Sequence, residues 1–226
     1  MANKRISIEA NKFYHIYNHA VGDDVLFKDD DNFRYFLQKY AEYISPIAKT
    51  YAYCLMPNHF HFLISVRNDN ELFDFFKKKY EKFKDKAEDP AGFQNPQGLL
   101  STNRQKNNEL ISLQISKHFG NFFNAYAKAY NKQQNRRGSL FEDDFKRIEV
   151  KGEEYLRNLV YYLHYNPVRH GFTNGVDDWQ FSSYRAFLSN KITNVEKQEV
   201  ISWFEDLENF IYFHKKGLVD FDADFD

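Results

Sequence analysis

Tyr51-Ala-Tyr-Cys-Leu-Met-Pro-Asn-His-Phe-His-Phe-Leu-Ile-Ser-Val66 is a pair of apolar runs broken by Pro57-Asn58. Both runs are rich in aromatic and aliphatic residues that favour strands. Proline and asparagine between them supply turn chemistry, so Lys49–Met56 and His59–Val66 are expected to form a hairpin. Side chains alternate along a strand, which places His59 and His61 on one face and Phe60, Phe62 and Ile64 on the other. Two imidazoles side by side are candidate metal ligands. The same spacing also fits two partly buried sheet histidines bonded to neighbours.

Around the hairpin the chain alternates strand and helix signals. Phe13-Tyr-His-Ile-Tyr-Asn18 reads as a first strand. Asp29–Asp31 is a cap for a helix in which Phe33, Phe36, Leu37, Tyr40 and Ile44 recur at helical spacing. A basic amphipathic helix is expected from Glu71 to Lys86, then a polar loop or insertion at about 89–108, where Pro90, Gly92, Pro96 and Gly98 fall. Helical spacing returns from Leu110 to Tyr130. A turn at Arg136-Arg137-Gly138 leads to a fourth strand ending near Val150. The last long helix starts at Lys151 and is expected to stop near Tyr165, because Asn166-Pro167 follows. This order predicts an α+β fold: an antiparallel sheet with helices packed on one face.

Composition narrows the class. With 226 residues, 42% hydrophobic and 28% charged, the chain has the make-up of a soluble globular protein. Aromatics reach 19%, and such rings both fill cores and stack on unpaired bases. The single cysteine, Cys54, lies in an apolar run, so no internal disulfide can form, which fits a reducing cytoplasm. Neither a signal-peptide core nor an apolar run of the ~20 residues needed to span a bilayer is present. Charge is uneven. Residues 1–195 carry 28 bases against 23 acids, net +5, and residues 196–226 carry three against nine, net −6. A basic body with an acidic end suggests a polyanionic partner.

The second chemical clue is Tyr161-Tyr-Leu-His-Tyr-Asn-Pro-Val-Arg169. Tyr162 and Asn166 are four apart and share a helix face, a hydroxyl beside an amide oxygen.

Taken in order, Phe13–Asn18, Met56-Pro-Asn-His-Phe-His-Phe-Leu-Ile64, Gly138-Ser-Leu-Phe-Glu142, Tyr162-Leu-His-Tyr-Asn-Pro-Val-Arg169 and Asp178-Trp-Gln-Phe-Ser-Ser-Tyr184 resemble the single-tyrosine HUH nucleases. That branch comprises insertion-sequence transposases and REP-associated tyrosine transposases. The resemblance spans roughly residues 10–188 and implies the ferredoxin- or RRM-like palm of those enzymes. It implies a nuclease domain over 1–188, with the polar insertion at about 89–108 inside it, and an acidic extension over 189–226. By resemblance, Tyr162 is the nucleophile and His59, His61 and Asn166 hold Mg²⁺ or Mn²⁺. The activity implied is cleavage and transfer of single-stranded DNA, with hairpin structure, through a covalent 5′-phosphotyrosine. Arg136, Arg137, Lys146, Arg147 and Arg169 are the candidate DNA contacts. A monomer or homodimer in the bacterial cytoplasm, associated with the nucleoid and not with a membrane, completes the expectation. One departure is Asn18-His19-Ala-Val-Gly22, where the family often has an arginine-containing turn. Two other readings are a domesticated, non-catalytic nucleic-acid-binding protein on the same fold, and a metal hydrolase in which His15 or His164 completes the ligand set.

Overall fold

The computed structural model describes residues 6–83 and 104–216. The chain divides into two compact units, each discontinuous in sequence.

One unit takes Phe13–Phe33, Lys49–Ser65 and the chain from Leu140. It holds the sheet. Strands β1 (Phe13–His19), β2 (Ala48–Met56), β3 (His59–Val66) and β4 (Lys146–Val150) run in the order β2-β3-β1-β4. Central β1 pairs antiparallel with both β3 and β4. The expected hairpin is present, with Pro57-Asn58 as its turn. An antiparallel sheet with helices is the α+β class expected from the order of elements. Both sheet faces are dry: Tyr14, Ile16, Phe60, Phe62 and Ile64 on one, His15, His61 and Leu63 on the other, are all at most 1% exposed.

In chain order the helices are α1 (Asp30–Tyr43), α2 (Asp69–Phe83), α3 (Arg104–Gln133), α4 (Glu153–Arg169), α5 (Tyr184–Leu188), α6 (Lys197–Trp203) and α7 (Leu207–Lys216). Helix α4 starts after Gly152, whose φ of 85° suits glycine. Glu153 and Glu154 complement the positive end of its dipole. Its Leu156, Leu159, Val160 and Leu163 join Tyr51, Ala52, Leu63 and Val150 of the sheet in one apolar cluster. Each such side chain contributes ~1.5–3 kcal/mol on full burial. Val200, Phe204 and Phe210 enter the same cluster, so residues 189–216, expected as an acidic extension, carry α6 and α7 as part of this core. Their charges lie outward while an apolar stripe faces in. The compact units therefore do not follow the expected boundary at residue 188, and the last ten acidic-aromatic residues lie outside the described ones.

The expected stop of α4 at Asn166-Pro167 is corrected. The helix continues through Pro167 to Arg169. Proline removes one N–H, but the turn is closed beyond it by His170 N–H to Asn166 O (3.0 Å) and Phe172 N–H to Pro167 O (2.9 Å). Asn166 thereby keeps its helical place one turn after Tyr162.

The other unit comprises Arg34–Ala48, Val66–Ser139 and the described part of Met1–Lys12. It contains most of α1 with α2 and α3. Phe36 meets Phe122 and Tyr126 at ring-centroid distances of 4.8 and 4.9 Å. Phe76 of α2 packs edge-on to His118 of α3 at 5.4 Å, and Lys79 Nζ donates to His118 Nε2 at 2.9 Å. Burial, then the Lys79 charge, lowers the His118 pKa to about 4. Helix α3 begins at Arg104, so 104–108 of the expected loop is helical; residues 89–103 of it lie outside the described ones.

Candidate functional site

The β1–β3 register sets His19 opposite His59, Tyr17 opposite His61 and His15 opposite Leu63. Alternate residues of the two strands therefore put His15, Tyr17, His19, His59 and His61 on one face. Their rings confirm it: His19 stacks on His59 at 4.8 Å, Tyr17 on His61 at 5.4 Å and His15 on Tyr17 at 4.8 Å. His170, the residue after α4, lies 5.1 Å from His59. Five imidazoles share this end of the sheet.

Each of the two expected ligands has its Nδ1 engaged. His59 Nδ1 is 2.8 Å from Asn58 Oδ1, and His61 Nδ1 is 2.9 Å from His15 Nε2. An amide oxygen only accepts, so His59 Nδ1 carries a proton and donates. In the neutral ring its Nε2 then has a bare lone pair, and that lone pair faces Asn166 Oδ1 at 3.3 Å. Two acceptors facing one another are reconciled either by a cation beside them or by turning the Asn166 amide so that its Nδ2–H donates to His59. His61 Nε2 and Asn166 Nδ2 are buried with no hydrogen-bond partner. Burial, reinforced by the neighbouring His15, His59, His19 and His170, holds the His61 pKa well below its usual value, so the ring stays neutral. Neutral imidazole is the form that binds a metal. Two imidazole nitrogens and an amide oxygen would be a three-donor set with positions left open; imidazole suits zinc, copper, iron or nickel, and the amide oxygen a harder ion. Among the described residues, no group of three or more His, Cys, Asp and Glu is arranged to hold a metal ion, so a metal here would depend on the asparagine.

Tyr162 comes from α4. Its ring is edge-on to His61 at 5.7 Å and to His15 at 6.3 Å, and the residue is fully buried. Arg169 Nη1 approaches its hydroxyl oxygen at 3.4 Å, with the guanidinium 5.7 Å from the ring centre. Tyr162, Asn166 and Arg169 are thus an i, i+4, i+7 stripe on one helix, with Tyr162 and Asn166 against the histidines and Arg169 against Tyr162. Tyr161 goes elsewhere. It stacks on Tyr165 and meets Phe213 and His214 of α7, and burial raises its pKa to about 12.

His164 does not join the set. Its Nδ1 lies 2.9 Å from His214 Nε2 and its Nε2 lies 2.8 Å from Ser183 Oγ. His214 Nδ1 is 2.8 Å from Phe210 O, and Tyr53 N–H donates to Ser183 Oγ at 2.9 Å. The carbonyl can only accept, so the order is forced: His214 donates to Phe210, His164 to His214, and Ser183 to His164. His15, by contrast, touches His61 directly. Neither histidine completes a hydrolase-type ligand set with His59 and His61.

The candidate DNA contacts separate into kinds. Arg136 is occupied within its own unit, donating to Asn131 Oδ1 at 2.8 Å and Ser139 O at 2.7 Å, so it staples the turn after α3. Arg137 is exposed. Lys146 and Arg147 are half-buried on β4, and Arg147 lies 4.7 Å over the Phe145 ring. Arg169 adjoins Tyr162. A cleft of about 640 Å³ also opens beside the hairpin turn, with Pro57, Phe27 and Trp179 in its wall. The Trp179 indole is fixed by donation to Leu55 O at 2.8 Å. Sequence reasoning gave His19, His170 and the i+7 place of Arg169 no part in the site. The signal for His19 was its period-2 relation to His15 in β1.

No family model matches the chain. It is similar to a Haemophilus influenzae protein described as "Putative REP-associated tyrosine transposase", 33% identical over 62 residues. The match covers 27% of this chain and about a third (35%) of that protein's length. It bears out the resemblance read from the motifs. A solved structure of a REP-associated tyrosine transposase bound to a REP hairpin is 13% identical, with a TM-score of 0.48, covering 87% of this chain and 96% of that one. Among the described residues, no helix is long and apolar enough to cross a membrane.

Proposed function

We propose that this chain is a single-tyrosine HUH nuclease of the REP-associated transposase kind, which cuts and rejoins single-stranded DNA bearing a hairpin. The observation that carries the reading is the packing of the Tyr162 ring against His61 while Asn166, one turn on, presents its oxygen to His59. In this reading the nucleophile and the three donors come from one chain.

In this reading His59, His61 and Asn166 hold Mg²⁺ or Mn²⁺, which polarises the scissile phosphate when bound. Arg169 lies against the Tyr162 hydroxyl and stabilises the phenolate as its proton leaves. Tyr162 oxygen attacks phosphorus, the bond to the 3′ oxygen breaks, and that oxygen takes up a proton. The products are a 5′-phosphotyrosine and a free 3′-hydroxyl. Attack by another 3′-hydroxyl on the phosphotyrosine reverses the step and transfers the strand. Lys146, Arg147 and Arg137 supply phosphate contacts, and the Trp179 cleft is where an unpaired base could stack. A cytoplasmic, nucleoid-facing location follows from such a substrate.

Incubation of Tyr162→Phe and Tyr161→Phe with single-stranded hairpin DNA and Mn²⁺ tests the assignment. A gel-stable protein–DNA adduct is expected in wild type and Tyr161→Phe and not in Tyr162→Phe, which still binds DNA. The full burial of Tyr162 favours the binding-only alternative, and wild-type DNA binding with no adduct would establish that alternative instead.

A further inference from the structure

We infer that His15 is the positioning residue that sets the tautomer of His61, so that His61 presents a bare Nε2 to the metal. The inference rests on the metal reading above.

The argument begins with one proton. His15 and His61 are both 0% exposed and their rings meet nitrogen to nitrogen, Nε2 to Nδ1, at 2.9 Å. One hydrogen fits between them, and its ownership has opposite consequences. If His15 holds it, His61 Nδ1 is the acceptor, the neutral ring of His61 carries its own proton on Nε2, and that nitrogen cannot ligate. If His61 holds it, Nδ1–H donates to His15 and Nε2 is free to bind. Only the second arrangement is compatible with ligation through Nε2, the nitrogen left buried and without a hydrogen-bond partner.

A second observation points the same way. His59, the other expected ligand, has its Nδ1 on Asn58 Oδ1 and its Nε2 towards Asn166. Both ligands therefore have Nδ1 within hydrogen-bond distance of a protein group, and for His59 that group can only accept. For His59 the group lies on the hairpin turn; for His61 it comes from the neighbouring strand β1. Metal-bound histidines characteristically donate their second nitrogen to such an acceptor, and its loss costs 10–100-fold in metal affinity.

Histidine also suits the place better than the usual carboxylate. At 0% exposure an isolated carboxylate would be strongly disfavoured, and its negative charge would oppose an incoming phosphate. A neutral imidazole accepts the proton without either effect, its own proton then lying on the buried Nδ1. Stacking of His15 on Tyr17, and of Tyr17 on His61, holds the two imidazole planes within 22° of each other.

The test has two readouts that do not involve activity. Long-range nitrogen–proton NMR on metal-free wild type should show His61 protonated on Nδ1. Finding it protonated on Nε2 overturns the proposal, whatever the variants do. Mn²⁺ titration by calorimetry should show roughly 10–100-fold weaker binding in His15→Phe, which keeps a ring on Tyr17 but removes the acceptor. His15→Gln, whose amide oxygen can accept from Nδ1–H, should restore most of the affinity, and it serves alone if the phenylalanine variant does not fold. Affinity unchanged in His15→Phe but lost in His61→Ala overturns the role of His15 and leaves the metal site standing. Affinity unchanged in both overturns the metal site and the proposal with it.

Discussion

Acid should unfold the unit that carries the sheet, and the proton count can be worked from His214. This ring donates Nδ1–H to Phe210 O and accepts from His164, so it has no place for a second proton without breaking the chain that runs through Ser183 to Tyr53. Desolvation, its main cause, brings the His214 pKa down to about 4, against ~6.5 for an unfolded histidine. The folded value lies below the unfolded one. The stabilisation is therefore complete above pH ~6.5 and is lost as pH falls towards 4, because the unfolded chain takes up a proton that the folded chain refuses. The slope is about 1.4 kcal/mol per pH unit, which amounts to about 2 kcal/mol between pH 7 and pH 5 from this residue alone. His164 and His61 are shifted in the same direction by burial and add to the slope. Urea unfolding at pH 7, 6 and 5 measures it. Both tryptophans, Trp179 and Trp203, lie in this unit, so their fluorescence follows it selectively. His214→Gln keeps an acceptor for His164 but cannot titrate. Its stability loss between pH 7 and 5 should be smaller than that of wild type by about 2 kcal/mol. Equal losses in the two proteins would refute a neutral His214 in a fixed hydrogen-bond order.

Ser183→Ala removes the donor to His164 Nε2 and the acceptor for Tyr53 N–H, so the urea midpoint at pH 7 should fall by an amount corresponding to about 1–3 kcal/mol for each group left bare. Arg169→Ala should slow adduct formation by about 10²-fold while Mn²⁺ affinity stays at the wild-type value, because the guanidinium touches the phenol and not the donor set. Equal adduct rates in the two proteins would show that the contact is only packing.

Much of this was legible from two periodicities. The alternation in His59-Phe60-His61 fixed which residues share a sheet face, and the four-residue spacing of Tyr162 and Asn166 put both on one stripe of α4. What was not legible depended on pairing between distant strands. Nothing in Phe13–His19 says that it registers with β3 so that His15 reaches His61, because register is set by the packed whole. The bonds of Arg136 to Asn131 and Ser139 at the turn after α3 could not be read from its charge. The acidic count of the C-terminal region hid the apolar residues Val200 and Phe204 at α6 and Phe210 on α7, which enter the core. The division into two units escaped the sequence because the chain enters each of them more than once.

Pro167 has a mechanical consequence. It offers no N–H to the Leu163 carbonyl, so the turn bearing Asn166, Arg169 and His170 is joined to the turn bearing Tyr162 by one ladder bond fewer than an ordinary helix has. Upstream of this seam, α4 is anchored through His164 to α7 and to the segment at Ser183. Downstream, backbone bonds at His170, Gly171 and Phe172 close the helix end. The seam is therefore where α4 can bend at the least cost in backbone hydrogen bonds. Arg169, which contacts the Tyr162 phenol, sits on the far side of this seam from the tyrosine itself.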